Sequence, residues 1–315
     1  MEQGSLCVVV PCHNEEQSLP ALFERMGTVE PALSRWLNEP IQYVFVDDGS
    51  MDDTLSILRD EHAKRPSVHY VSFSRNFGKE AGLAAGLRKA LDLGSQFICV
   101  MDADLQDPPE LLGEMFTRLE DGFDVAAAYR TTRAGEPPIR SWFAERFYGI
   151  INRISDVEIK SGARDFRLMT KRVVTAILSL PENSRFSKGI FSWVGFRTAW
   201  IPYENIERER GESSWSFFSL ARYALEGIVA FSTVPLELIS IFGLLTCLLA
   251  MLFLMFVLVR ALAFGDPVAG WPSLMCVILL LGGAILFGVG LVGLYLSKVY
   301  SEVKRRPLYV IAEEA

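Results

Sequence analysis

Two stretches near the C-terminus carry no charged side chain, residues 238–259 and residues 267–297. They restrict the fold more than any other feature. About 20 apolar residues suffice to cross the hydrocarbon layer of a bilayer. A helix buried in a soluble core seldom runs so long without a charge, so the sequence predicts two transmembrane helices, the second centred on residues 274–296. Lys298, Lys304, Arg305 and Arg306 follow the second run, Arg208, Arg210 and Arg222 precede the first, and the connecting loop holds only Arg260. By the positive-inside bias both termini belong on the cytoplasmic side. The first apolar run, residues 6–10, is too short for a secretory signal and is followed by Pro11, so none is expected. A net charge of −7 argues against a nucleic-acid partner. The five cysteines show no C-x-x-C spacing and read as small buried hydrophobes rather than a zinc site.

Ahead of the apolar runs, strand and helix patterns alternate. Residues 6–10, 43–46, 68–72, 97–101 and 125–128 are short apolar runs, and helical patterns cover 18–36, 53–62, 79–91 and 109–120. This predicts a mostly parallel sheet wound with helices. Residues 131–138 read as a polar loop and 140–154 as a helix with an aromatic face. Residues 166–169 and 198–202 read as edge or antiparallel strands. From Trp215 to Phe231, polar residues recur every three or four positions among aromatics, as in a helix lying in the membrane interface. The expected division is a catalytic domain over 1–210, an interfacial helix over 211–235, two spans within 236–298 and a tail over 299–315.

Chemistry collects where the strands end. The run Val100-Met101-Asp102-Ala103-Asp104-Leu105-Gln106-Asp107-Pro108-Pro109-Glu110 places three carboxylates and an amide straight after an apolar strand. Clustered hard oxygens there suit Mg²⁺ or Mn²⁺ held jointly with substrate phosphates. Pro11-Cys12-His13-Asn14-Glu15 follows the first strand, Asp47-Asp48-Gly49-Ser50 the second, Ser74 to Lys79 the third, and Arg130 the fifth. In a doubly wound sheet these loops converge on one crevice. An acid pair can bind ribose hydroxyls or a base edge, a lysine can sit by phosphate, and a metal can bridge a diphosphate. Together they describe a nucleotide-sugar site. A Rossmann dehydrogenase would need G-x-G-x-x-G after the first strand, where Pro-Cys-His-Asn-Glu stands, and no P-loop motif occurs.

The segments V-V-V-P-C-H-N-E-E, V-D-D-G-S-M-D-D-T, S-R-N-F-G-K-E-A-G, M-D-A-D-L-Q-D-P-P-E, D-F-R-L-M and R-E-R-G-E-S-S-W resemble those of polyisoprenyl-phosphate glycosyltransferases. These are family-2, GT-A-fold (Rossmann-like) enzymes, related to dolichyl-phosphate mannose synthases and bactoprenol glucosyltransferases. The resemblance covers essentially the whole chain. It departs at Ser214, where lysine is common, and at Gly293-Leu294-Tyr295, where G-E-Y is common.

The resemblance implies inverting transfer of a sugar, glucose from UDP-glucose first among the choices, to a polyisoprenyl (undecaprenyl) phosphate for cell-envelope glycan modification. It implies a multi-pass protein of the inner (cytoplasmic) membrane with its catalytic domain cytoplasmic, and leaves homo-oligomerisation open. Asp102, Asp104 and Gln106 are the expected Mg²⁺ or Mn²⁺ ligands. Pro11, Glu15, Asp47, Asp48, Lys79 and Asp102 are expected around the nucleotide sugar. By resemblance Arg208 closes on the donor diphosphate, Arg130 and Arg140 hold the acceptor phosphate, and Asp165 stands near the reacting centre, orienting a substrate or acting as a base. A processive polysaccharide synthase would carry Q-x-x-R-W and more spans. A non-catalytic membrane partner would have no use for the intact D-A-D-L-Q.

Overall fold

The structure, a computed structural model, describes residues 3–131, 160, 162–183, 185–204, 234–264 and 270–315. The expected helix over 140–154, residues 211–233 of the expected interfacial helix over 211–235, and the side chains of Arg140 and Arg208 lie outside the described residues.

Eight strands form one mixed sheet: β1 (Leu6–Cys12), β2 (Gln42–Asp47), β3 (Val68–Phe73), β4 (Phe97–Val100), β5 (Val125–Arg130), β6 (Ala163–Thr170), β7 (Thr198–Tyr203) and β8 (Ile311–Glu314). Their order is β7-β5-β6-β4-β1-β2-β3-β8. The central strands β4, β1, β2 and β3 run parallel, as the alternation of elements predicts. They are apolar on both faces because helices cover both. Leu6, Val8 and Val10 join a core with α1 (Leu19–Leu33), α2 (Thr54–Lys64) and α4 (Leu112–Glu120). Cys7 and Val9 join another with α3 (Lys79–Asp92), α5 (Lys171–Ser179) and α6 (Ser187–Trp193). Helix α3 sits so close to the sheet that a Cβ on Gly86 would stand 2.2 Å from Val9 Cγ1. Pro109 opens a 3₁₀ turn that leads into α4, in line with Pro-Pro at a helix start.

The arrangement of β6 decides where the chemistry can gather. It pairs antiparallel with both β4 and β5, Val100 opposite Arg167. Its amino end therefore meets the carboxyl end of β4, and the segments around Asp102 and Asp165 share one rim.

Helices α7 (Val234–Phe264) and α8 (Trp271–Val303) follow. Val234–Phe253 and Leu280–Val303 are long and apolar enough to cross a membrane, and neither stretch is buried in the protein. Leu249 and Phe287 are 64% and 71% exposed, which a soluble core helix would not tolerate. The segment after α8, read as a plain basic tail, returns to the sheet. Strand β8 pairs antiparallel with β3, the bidentate Arg59–Glu313 ion pair fixes it, and Tyr309 stacks on Phe73 at 4.9 Å.

Candidate active site

The crevice lies along the carboxyl ends of β1 to β4, where ligands bind in open α/β sheets. On its β2 side both acidic residues are buried. Asp47 accepts from Ser50 N at 3.0 Å and from Ser72 Oγ at 2.7 Å. Asp48 accepts from Phe77 N at 2.6 Å and Gly78 N at 2.9 Å. These carboxylates tie the loops after β2 and β3 together. Gly49 completes the turn at φ +65, and a Cβ there would stand 2.5 Å from the main chain of Arg75. Asp53 stands at the N-cap of α2 without capping it; Asp52 bonds Thr54 N instead, at 3.1 Å.

Pro11 is half-buried near the end of β1. The Glu15 main chain is held by Thr54 Oγ1 at 2.8 Å, and its carboxylate accepts from Ser18 Oγ at 2.7 Å. Glu15 lines a cavity of about 450 Å³ with Asn14, Glu16, Met51 and Asp52. Its volume falls in the range of small-ligand clefts.

At the β4–β6 rim cations and carboxylates alternate. Lys79, the first residue of α3, lies 2.7 Å from Asp102 Oδ1 and 2.6 Å from Asp165 Oδ2. Burial alone would lower the Lys79 ammonium, but Asp102 and Asp165 outweigh it and hold it above the usual lysine range. Burial would raise Asp165; Lys79 and then Lys188 overcome it and hold the carboxyl well below the carboxylate range. Arg164 Nε reaches Asp107 Oδ1 at 3.1 Å, and its other nitrogens approach Gln106 Oε1 at 3.4 Å and Asp102 Oδ2 at 4.0 Å. Arg130 donates to Gln106 Oε1 at 2.7 Å and to Tyr203 Oη at 3.4 Å. Tyr203 in turn donates to Asp107. Asp104 is buried and accepts from Gln106 N at 3.1 Å. Leu105 between them sits at φ 55, a conformation unusual for a side-chain-bearing residue and typical of functional loops.

Thus Lys79, Asp102, Gln106, Arg130 and Asp165 come together, with Asp104 beside them. Asp107, the third carboxylate of that run, joins the cluster, and Arg164 and Tyr203 complete it without having been singled out from the sequence. Arg164 directly precedes Asp165 at the amino end of β6, the one local hint that it faces the same rim.

Residues 7–178 match the profile of Glycosyl transferase family 2. The chain belongs to this family. Its relatives match almost end to end. An uncharacterised glycosyltransferase of Synechocystis is 39% identical over 308 residues, covering 98% of this chain and 95% of that one. A putative glycosyltransferase of Bacillus subtilis, CsbB, is 37% identical over 313 residues, covering 99% and 93%. The SfII prophage-derived bactoprenol glucosyl transferase of Shigella flexneri is 38% identical over 306 residues, covering 97% of each. Among solved structures, the mannosyltransferase PcManGT of Pyrobaculum calidifontis, in complex with GDP-Man and Mn²⁺, superposes with a TM-score of 0.48 at 17% identity, over 97% of this chain and 86% of that one.

In this glycosyltransferase, among the described residues, no three His, Cys, Asp or Glu converge as a protein-only metal cage. Asp102 and Asp104 nevertheless have the right chemistry for a hard divalent cation that takes the rest of its shell from substrate phosphates. The amide oxygen of Gln106 faces the guanidiniums of Arg130 and Arg164.

Proposed function

We propose that this glycosyltransferase moves a sugar, glucose first, from a uridine diphosphate sugar to a polyisoprenyl phosphate such as undecaprenyl phosphate, inverting the anomeric carbon. The observation that carries the reading is the Lys79–Asp102–Asp165–Arg164 cluster at the β4–β6 rim, on a chain that continues into two apolar helices. The bactoprenol glucosyl transferase of Shigella flexneri supports it by name and by full-length likeness.

The chemistry follows from charge. A lipid monophosphate is already an anion at neutral pH, so no strong base is needed to generate the nucleophile. Its oxygen forms a bond to the anomeric carbon, while the bond to the diphosphate breaks and the electron pair leaves with the nucleotide. The harder task is to bring two anions together and to stabilise the departing diphosphate. Lys79 at the start of α3 offers a cation beside the crevice, and Arg164 and Arg130 add two more. Asp165, held ionised by Lys79, is a weak base and a good anchor, so its role here is to orient Lys79 and the acceptor. Asp102 and Asp104 would hold Mg²⁺ or Mn²⁺, which supplies Lewis-acid neutralisation of the leaving group. The product would be a lipid-phosphate-linked sugar for cell-envelope glycans, made by a catalytic domain on the cytoplasmic face of the inner membrane.

The test is direct. Detergent-solubilised protein, undecaprenyl phosphate and a panel of labelled nucleotide sugars are combined, and label is read in the lipid phase. Acid-labile label from one UDP-sugar is expected, because the anomeric and allylic phosphate ester bonds both ionise in mild acid. Label that never enters the lipid phase with any donor would overturn the reading.

A further inference from the structure

Lys79 is the cation that Asp102 and Asp165 share, yet its own side chain does not fix where it stands. A lysine is a point charge on a flexible four-carbon stem. Its reach is set by the first turn of α3, and that turn starts at Gly78, at φ 95, with no side-chain cap. The first turn of an uncapped helix leaves main-chain donors without partners and frays readily. Here it is held from outside. On one side Asp48 accepts from Phe77 N and Gly78 N.

Glu80 holds the other side. It directly follows Lys79, and successive residues of a helix point about 100° apart, so Glu80 turns from the rim toward α6. Its carboxylate accepts from Ser187 N at 3.0 Å through each oxygen, and also from Ser187 Oγ. Ser187 is a fixed point. It is buried. Ahead of it, Arg185 donates to the carbonyls of Ile177 at 3.2 Å and Leu180 at 3.1 Å, at the end of α5. Asn183 N donates to both carboxylate oxygens of Glu302, at 3.0 Å, in the last turn of α8. Beyond it, Ile190 and Phe191 of α6 join the same core as Leu83 and Leu87 of α3. Those apolar contacts suffice to pack α6 on the α3 side of the sheet. A carboxylate set between the two helices costs desolvation that an apolar residue would not, and what it adds is a defined register.

We propose that Glu80 is a positioning residue: by gripping Ser187 it fixes the first turn of α3 and so aims the Lys79 ammonium at the diphosphate of the bound nucleotide. The proposal rests on the reading of the crevice as a donor site given above.

Its test uses the full chain in detergent with Mg²⁺. Equilibrium affinities are measured for UDP beside uridine and for GDP beside guanosine, so that each pair isolates the diphosphate. The proteins are wild type, Lys79→Met, Glu80→Gln, Ser187→Ala, Ser187→Thr and the Lys79→Met/Glu80→Gln double variant. Lys79→Met should lower the preference for diphosphate over nucleoside about tenfold, the scale of one lost charge-assisted contact. Glu80→Gln and Ser187→Ala should each lower it about threefold to fivefold, with nucleoside affinity held within about twofold, a misaimed contact costing less than a deleted one. Ser187→Thr keeps the hydroxyl and should keep the wild-type ratio. On the Lys79→Met background Glu80→Gln should change the ratio by less than about twofold, because the group it aims is gone. Equal losses with and without Lys79, or parallel losses of nucleoside and diphosphate, would make Glu80 a merely structural residue and overturn the proposal. A loss in Glu80→Gln with none in Ser187→Ala would assign the effect to charge and overturn it too. So would a wild type that prefers neither diphosphate over its nucleoside. A wild type that binds GDP in place of UDP would correct the donor named above, while the same ratios would still decide the role of Glu80.

Discussion

Replacing Arg164 with Met should destabilise this protein far more than replacing its partner Asp107 with Asn. The Asp107 side chain is fully buried and Arg164 is 22% exposed, with 3.1 Å between them. Asp107 spends Oδ1 on both Arg164 and Tyr203, and its Oδ2 is buried without a partner. Removing the arginine strands a buried charge, which costs about 3–5 kcal/mol. For a catalytic domain of this size that corresponds to a fall in Tm of roughly 10 °C. Asn in place of Asp107 removes the charge that needs compensation, and Arg164 keeps Gln106 at 3.4 Å and Asp102 at 4.0 Å, so its loss should be under half as large. The double variant should recover most of the Arg164→Met deficit. Burial already pushes the Asp107 carboxyl up, and Arg164 opposes that push. Without Arg164 the folded state binds the proton more tightly than the unfolded chain. The deficit should then be full above the raised pKa and shrink as pH falls toward the ordinary carboxylate range. Thermal melts of the four proteins between pH 5 and 8, the range where these forms separate, provide the assay. Equal losses in the two single variants, or additive losses in the double, would refute the reasoning.

Three other outcomes are expected. Asp104→Asn should abolish transfer while leaving the melting curve unchanged, and excess EDTA should silence the wild type; full turnover in EDTA would remove the metal from the mechanism. Gly49→Ala should strain the left-handed turn against Arg75, a cost of about 1–3 kcal/mol, and raise KM for the nucleotide sugar about tenfold with little change for lipid; an unaffected donor KM would uncouple that turn from the donor site. An impermeant thiol reagent on intact cells, with native cysteines removed, should label a cysteine placed at Ala269 and spare one at Ala312; the reverse pattern would refute the two-span topology.

Local patterning carried much of this architecture. The runs beginning at Leu6, Gln42 and Val68 are apolar because both faces of their strands are covered, and the D-A-D-L-Q turn follows an apolar run whose end is easily seen. What patterning did not reveal is pairing between distant segments. That β6 would insert between β4 and β5 depends on contacts far apart in sequence, and with it the meeting of Arg164, Asp107 and Tyr203. Strand β8 was hidden because its four residues include Glu313 and Glu314, and an exposed edge strand needs no apolar alternation. The carboxylates of Asp47 and Asp48 were visible as a pair; their bonds to Ser72, Phe77 and Gly78 were not, because side chain to main chain bonding across loops leaves no periodic trace.

Strand β8 has a consequence for how the molecule is assembled. It lies beyond both apolar helices in the chain, yet it seals the β3 edge of the sheet whose carboxyl ends form the crevice. During synthesis β1 to β7 emerge and can pack while β3 still presents bare amide and carbonyl groups. That edge closes only after α7 and α8 have been made. An open edge of this kind invites pairing with other nascent chains. If α7 and α8 cross a membrane as a hairpin, a chain that delivered its tail to the opposite side would keep an unfinished sheet.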